Sequence, residues 1–178
     1  MKLDYVQALK RVHEARGAWI MHGQEPLLEQ NLLDAFRKSW QQQEVERQRY
    51  DIGNVNDWKN VFNALNSLSL FSQQLAIEVH GNIKPDANGL KQLKNYIQHN
   101  EHNLLLIVLP KQDSSSLKSA FFQTVEANGV VVALTATYPQ DRQRILSIEA
   151  EKLGIQLNNE AWQWLMQHHE HNLLAAKN

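Results

Sequence analysis

Apolar residues along this chain form short runs that alternate with stretches of helical period. Strands are predicted at 18–23, 47–52, 75–79, 104–109 and 130–134. The run 104–109 consists of six consecutive aliphatic residues, which is typical of a central strand covered on both faces. Strands that alternate with helices predict right-handed parallel crossovers. The pattern therefore predicts a three-layer α/β fold with a parallel sheet of about five strands.

Polar residues and Pro or Gly mark where the intervening helices begin and end. A helix is predicted before the first strand, and Gly17 ends it. Pro26 opens the helix after the first strand, Asn56 and Asp57 cap the next one, and Asp86 caps the one after that. A single helix is predicted from 114 to Gly129. The apolar faces of the helices after Pro26 and Asp57 comprise Leu27, Leu28, Leu32, Leu33, Phe36 and Trp40, and Trp58, Phe62 and Leu65.

The pattern changes after Thr137, where the predicted strands stop. Two helical stretches follow, separated by Gly154. We therefore divide the chain into an α/β domain at 1–137 and a small helical domain at 138–178. The residues 172–178 resemble the first turns of a helix whose continuation is missing, so we expect the helical domain to be truncated.

Composition excludes several classes of function. The chain of 178 residues has 18 basic and 19 acidic side chains and a formal net charge of −1, so no overall field attracts nucleic acid or an anionic membrane. It has no cysteine, which excludes disulfides, a thiol nucleophile and a Cys-ligated zinc. No apolar stretch approaches the about 20 residues that a membrane span needs. We expect a cytoplasmic protein that does not contact membranes.

The junction between the first strand and its helix has the position of a phosphate loop without the chemistry. A working loop reads G-x-x-x-x-G-K-[ST], in which backbone N–H groups, a lysine and a hydroxyl hold phosphates and Mg²⁺. If Gly23 is the first glycine, Leu28, Glu29 and Gln30 replace the second glycine, the lysine and the hydroxyl. We predict no catalytic residues and no bound cofactor here. The degenerate phosphate loop consists of Gly23, Gln24, Glu25, Pro26, Leu28, Glu29 and Gln30.

Metal sites are not expected elsewhere in the chain. The third strand ends in Glu78, Val79, His80 and Gly81, whereas an ATPase places adjacent acids there to hold Mg²⁺. His168 and His171 share a helix face, but Glu170 is the nearby acid and no cysteine is available. A solvated polar face is the favoured interpretation of these histidines.

Two short motifs and the order of elements resemble a known family. Gly23, Pro26, Leu27 and Leu28 form a G-x-x-P-L-L motif after the first strand, and Leu68-Ser69-Leu70-Phe71 precedes the third strand. Together they resemble the delta subunit of the bacterial DNA polymerase III clamp loader. The resemblance covers the whole chain, as an AAA+-like N-terminal domain and most of a lid domain. We expect the C-terminal collar domain of that family to be missing from this chain.

The resemblance implies a function in DNA replication. Such a subunit binds the beta sliding clamp and opens one of its interfaces, while other subunits hydrolyse ATP. Further partners would be the ATPase subunits and delta prime, chiefly through the missing C-terminal domain, with DNA contacted indirectly as part of the complex. Any nucleotidyltransferase activity would belong to the DNA-directed DNA polymerase holoenzyme and not to this chain.

The predicted clamp-binding residues are Leu68, Leu70 and Phe71. The preceding helix already has an apolar face, so this cluster is surplus to the periodic pattern. Periodicity alone favours burial in the core, and the resemblance favours an exposed plug formed by Leu70 and Phe71. Leu68 also continues the helical face. Two alternatives stay open: a divergent P-loop ATPase or nucleotide kinase with its phosphate loop elsewhere, and an α/β scaffold with a partner unrelated to replication.

Overall fold

A computed structural model describes residues 1–67, 74–100, 102–169 and 172–178. Over these residues the chain forms one six-stranded sheet, in which all neighbouring strands are parallel. The strand order is β1-β6-β2-β5-β4-β3. The strands are β1 (Lys2–Asp4), β2 (Gly17–Gly23), β3 (Glu46–Asp51), β4 (Leu75–His80), β5 (Leu104–Pro110) and β6 (Val130–Leu134). The predicted three-layer parallel α/β class is confirmed, with six strands in place of about five.

Helices cover both faces of the sheet because the strand side chains alternate between two apolar clusters. Leu104 and Leu106 of β5 belong to the cluster that includes the helix at 26–42, whereas Leu105 and Ile107 belong to the cluster that includes the helices at 57–66, 87–99 and 120–128. The helices are α1 (Tyr5–Leu9), a 3₁₀ turn (Val12–Glu14), α2 (Pro26–Gln42), α3 (Asp57–Asn66), α4 (Ala87–His99), α5 (Ser114–Leu117), α6 (Ala120–Asn128), α7 (Pro139–Lys152), α8 (Asn159–His168) and α9 (Leu173–Lys177).

The predicted opening helix is present as α1 (Tyr5–Leu9), but it is shorter than expected and a strand that was not predicted precedes it. The chain begins with the edge strand β1, in which Leu3 pairs with Val132 of β6, and only then enters α1. A strand of three residues has no detectable hydrophobic period, and its partner lies far along the chain. Local periodicity therefore gave no signal for it.

Two further details differ from the predicted helix boundaries. The helix predicted from 114 to Gly129 is divided into α5 and α6, with Ser119 at the N-terminal cap position of α6. At α3 the Asn56 side chain makes no cap hydrogen bond, and a carboxylate oxygen of Asp57 instead accepts from the Gly53 and Asn54 amides at 2.8 and 2.9 Å. The predicted cap of α4 is confirmed, because Asp86 accepts from the Gly89 amide at 2.8 Å.

Helices α7, α8 and α9 follow the last strand, and we call them the lid; the sheet with α1 to α6 is the body. The predicted division after Thr137 falls between β6 and α7. Ile145 and Leu146 of α7 and Leu173 of α9 belong to the same apolar cluster as Leu28 and Leu32 of α2. The lid therefore packs on the body through a shared apolar core.

Candidate functional sites

The junction of β2 and α2 lies at the centre of the sheet, at the edge where the strands end. Gly23 is the last residue of β2 and pairs with Leu134 of β6. It has a φ of +158°, and an added Cβ atom would overlap the Leu134 carbonyl oxygen. The first glycine of the degenerate phosphate loop is thus required for strand packing, whether or not a phosphate binds.

The position of the second glycine is filled by a core side chain. Leu28 has no exposed area and packs with Leu27 and Leu32 in the apolar cluster beneath α2. Glu29 is half-buried and Gln30 is exposed in the first turn of the same helix. A carboxylate there interacts favourably with the helix dipole but repels an anion. This turn supplies neither the lysine nor the hydroxyl that phosphates and Mg²⁺ require.

A cleft of about 720 Å³ remains above the ends of β2, β5 and β6. Its walls combine apolar side chains with a few polar ones, and Leu173 of α9, only 2% exposed, lines it from the lid side. Arg142 also lines the cleft, and its Nη1 atom donates to the carbonyl oxygens of Ala136 and Thr137, each at 3.2 Å. The guanidinium therefore holds the connection from β6 to α7.

Two titratable groups near the N-terminal end of α2 have pKa values that are shifted by burial in this cleft. Burial raises the pKa of Glu25, although the positive charge of Arg142 opposes the rise. Burial lowers the pKa of His22, whose ring meets Phe122 edge to face at 5.5 Å between centroids. The lowered pKa of His22 and the carboxylate of Glu25 both disfavour the binding of a triphosphate in this cleft.

At the end of β4 the structure places a buried ion cluster that sequence reasoning missed. Glu78 has no exposed area, and its carboxylate accepts from Arg37 Nη2 at 2.6 Å and from Arg47 Nε at 2.9 Å. His80 Nε2 lies 2.6 Å from the same carboxylate. Burial by itself raises the pKa of Glu78, but the hydrogen bonds from His80, Arg37 and Arg47 outweigh it and hold the pKa well below its usual range.

This ion cluster has a structural role, because it joins separate parts of the fold. Arg37 comes from α2 and Arg47 from β3, so the carboxylate joins three elements on one side of the sheet. The signal in the sequence was an acidic residue inside the apolar run 75–79, which must find a partner if it is buried. Its two arginine partners lie 31 and 41 residues away and could not be identified from the local pattern.

The histidines near the C-terminus make contacts within their own helix. His168 Nδ1 lies 2.8 Å from the Trp164 carbonyl oxygen, and the two rings stack at 4.3 Å between centroids. Glu170 and His171 lie outside the described residues. Over the described ranges, no group of three or more His, Asp or Glu side chains is arranged to hold a metal ion.

The predicted clamp-binding residues Leu68, Leu70 and Phe71 lie outside the described residues. The residues on either side are described. Ser67 follows α3, and its amide donates to the Asn63 carbonyl oxygen at 3.0 Å. Gln74 precedes β4. Both therefore lie at the edge where strands of the parallel sheet begin, opposite the cleft.

Helix α3 precedes this segment, and its inward apolar face is buried in the core. The predicted inward residues Trp58, Phe62 and Leu65 are at most 6% exposed, and Val61 joins them. The predicted inward face of α3 is therefore confirmed.

In the ranges that the structure describes, no helix has both the length and the apolar composition that crossing a bilayer requires.

Comparison with known proteins agrees with the geometry of the body. A family described as "DNA polymerase III, delta subunit" matches residues 19–135. The chain is 31% identical over 164 residues to DNA polymerase III subunit delta of Escherichia coli (strain K12), an alignment that covers 90% of this chain and 48% of that protein. This chain thus spans about half the length of the relative.

Solved structures show the same fold at low sequence identity. The Bacillus subtilis DNA clamp loader delta protein matches with a TM-score of 0.70 and 10% identity, over 97% of this chain and 54% of that one. The Thermotoga maritima RuvB Holliday junction branch migration motor matches with a TM-score of 0.53 and 10% identity, over 97% and 57%. The fold is accordingly that of the AAA+ P-loop class, and the sequence matches establish that this chain belongs to the DNA polymerase III delta subunit family.

Proposed function

We propose that this chain is the clamp-binding portion of a clamp-loader delta subunit. It binds the beta sliding clamp and holds one interface of the ring open for loading onto primed DNA, without hydrolysing ATP itself. The observation that carries the proposal is the family match across residues 19–135, which spans both the degenerate phosphate loop and the segment 68–73.

The absence of ATP hydrolysis is supported by the side chains at three places, where an AAA+ ATPase needs a glycine, a lysine and a free acidic residue. Leu28 occupies the core at the position of the second glycine, and Glu29 replaces the lysine. Glu78 is already bound by arginines at the end of β4. The energy for loading must then come from other subunits.

Clamp binding by Leu70 and Phe71, with Leu68 beside them, is supported by the burial of α3. Because Trp58, Phe62 and Leu65 already form the inward face of α3, the apolar residues that follow are surplus to its helical pattern, and we assign them to the contact with the clamp. Burying a Leu or Phe side chain in a partner's pocket contributes about 1.5–3 kcal/mol. Two anchors could therefore dominate an interface after association costs are subtracted.

Opening of the ring requires more than tight binding. A ligand shifts an equilibrium only by the difference between its affinities for the two states. The anchor segment must act together with contacts that fit the open clamp better than the closed one. We assign those contacts to the exposed side of α2.

The remaining partners follow from the same assembly. The ATPase subunits and delta prime would bind chiefly through the region that the longer relatives have in addition to this one. DNA would be contacted through the complex. Lys111 and Lys118 are exposed on the body, but basic residues here are interspersed with acids, as expected of an indirect contact.

The test is binding of the purified chain to immobilised beta clamp by surface plasmon resonance. The double variant Leu70→Ala/Phe71→Ala should weaken binding by several kcal/mol, at least 100-fold in Kd, with an unchanged melting temperature. A matched control is Leu153→Ala/Ile155→Ala, which removes two apolar side chains that are 56% and 49% exposed on the lid. Equal affinity of the parent and the Leu70/Phe71 variant would refute the assignment.

One observation favours a second candidate, a divergent P-loop ATPase or nucleotide kinase. The cleft of about 720 Å³ is retained at the strand ends, where nucleotides bind in this class of fold. Calorimetric titration with Mg-ATP separates the two functions. Heat of binding together with phosphate release would favour the enzyme, whereas no heat together with a stable clamp complex would favour the delta subunit.

A further inference from the structure

A buried carboxylate connects the lid to the body. Glu149 of α7 is 4% exposed, and Asn31 Nδ2 of α2 donates to its Oε1 atom at 2.8 Å. Lys177 Nζ of α9 lies 3.4 Å from Oε2, and Lys152 Nζ of α7 lies 3.0 Å from Oε1. One side chain of α7 therefore contacts both the body helix α2 and the lid helix α9.

The apolar contacts around this carboxylate supply attraction without a fixed direction. Ile145, Leu146 and Leu173 share a cluster with Leu28 and Leu32, and burial of such side chains is roughly proportional to the area removed from water. Small rotations of the lid would change that area little. Apolar packing alone therefore permits a range of lid angles.

A buried charge tolerates a much narrower range of geometries than apolar packing does. Its desolvation is offset only when hydrogen-bond partners and counter-charges lie in the correct geometry. Lys177 and Asn31 approach Glu149 from different helices, and charge-assisted hydrogen bonds weaken steeply with misalignment. A rotation of α7 relative to α2 would separate Asn31 from the carboxylate and leave the charge poorly compensated.

We propose that Glu149 is a positioning residue that fixes the angle between lid and body. Side chains of the protein itself connect the two parts, so the lid holds one orientation without a bound ligand. The proposal is independent of clamp binding, because it concerns contacts among α2, α7 and α9 and not the predicted clamp-binding residues.

The absence of cysteine makes the test direct, since two introduced cysteines can be spin-labelled without background. Lys38 on α2 and Gln163 on α8 are both exposed, so Lys38→Cys and Gln163→Cys report the distance from body to lid by pulsed electron paramagnetic resonance. The doubly labelled parent should give one narrow distance distribution. Adding Glu149→Gln, which keeps the size and removes the charge, should at least double its width.

The matched control is Glu151→Gln, which removes an exposed acid two residues further along α7 and should leave the distribution unchanged. Lys177→Met provides a second variant that retains the buried carboxylate and removes only the α9 contact; it should broaden the distribution and leave the circular dichroism spectrum unchanged. It also carries the test if Glu149→Gln fails to fold. Distributions as narrow as the parent's in the folded variants would overturn the proposal.

Discussion

Gly23 and Leu134 are paired at the ends of β2 and β6, and a Cβ atom at position 23 would overlap the Leu134 carbonyl oxygen. The glycine that resembles the start of a phosphate loop is thus required by the close approach of two strands. A motif residue can persist for packing after the chemistry associated with it has been lost.

Gly23→Ala should therefore destabilise the protein by about 1–3 kcal/mol, because a new methyl group must displace the backbone of β6. Urea unfolding followed by circular dichroism measures the change. Gly53→Ala is the matched control, since its added Cβ would meet nothing closer than an Asp57 oxygen at 3.6 Å. A variant at position 23 as stable as the control would contradict the close approach.

Leu28→Ala should lower the free energy of unfolding by about 2–5 kcal/mol, because the truncation leaves a cavity in the core beneath α2. Gln30→Ala, two residues further along and exposed, should change it by no more than about 0.5 kcal/mol. Thermal or urea unfolding of both variants provides the measurement. Similar small effects at both positions would show that position 28 is not a core position.

Glu78→Gln should destabilise the protein by about 3 kcal/mol, the lower end of the range for breaking a buried ion pair. The lower end applies because the side chains of Arg37 and Arg47 are 35% and 39% exposed and can be solvated once the carboxylate charge is gone. Asp51→Asn removes an exposed ion pair between Asp51 and Arg49, both on the neighbouring strand β3, and should have a much smaller effect because solvent screens such a pair. Comparable losses in both variants, measured by urea unfolding, would show that the Glu78 cluster contributes little.

The stability of the parent should fall with acid in a way that depends on Glu78. Its pKa is lowered in the folded state, so the unfolded chain binds a proton first, near its ordinary pKa of about 4.3. The stabilisation is fully present above about pH 5 and is lost as the pH falls through that value towards the lower folded-state pKa.

The measurement for this prediction is the free energy of unfolding of the parent and of Glu78→Gln at pH 7, 5 and 3.5. The difference between the two proteins should shrink below pH 5, because only the parent loses this contribution. Subtracting the variant also cancels other acids with lowered pKa values, such as Asp113. A gap that stays constant between pH 7 and pH 3.5 would contradict the assigned direction of the pKa shift.

Much of this architecture follows from local sequence. The run at β5 and the helical period of α2 depend only on neighbouring residues, because side-chain direction repeats every two residues in a strand and about every 3.6 in a helix. The same holds for the degenerate phosphate loop, since the replacement of a glycine and a lysine by Leu28 and Glu29 is visible without coordinates. The sequence by itself determined the fold class and showed which phosphate-loop residues are replaced.

The tertiary structure decided what depends on distant partners. Strand β1 exists because Leu3 pairs with Val132, and the hydrophobic pattern of three residues is too short to predict that pairing. The carboxylates of Glu78 and Glu149 are buried, and their hydrogen-bond partners Arg37 and Asn31 come from parts of the chain that are distant in sequence. The physical reason is that a buried charge is stable only in a complete hydrogen-bonded environment, which a linear pattern does not encode.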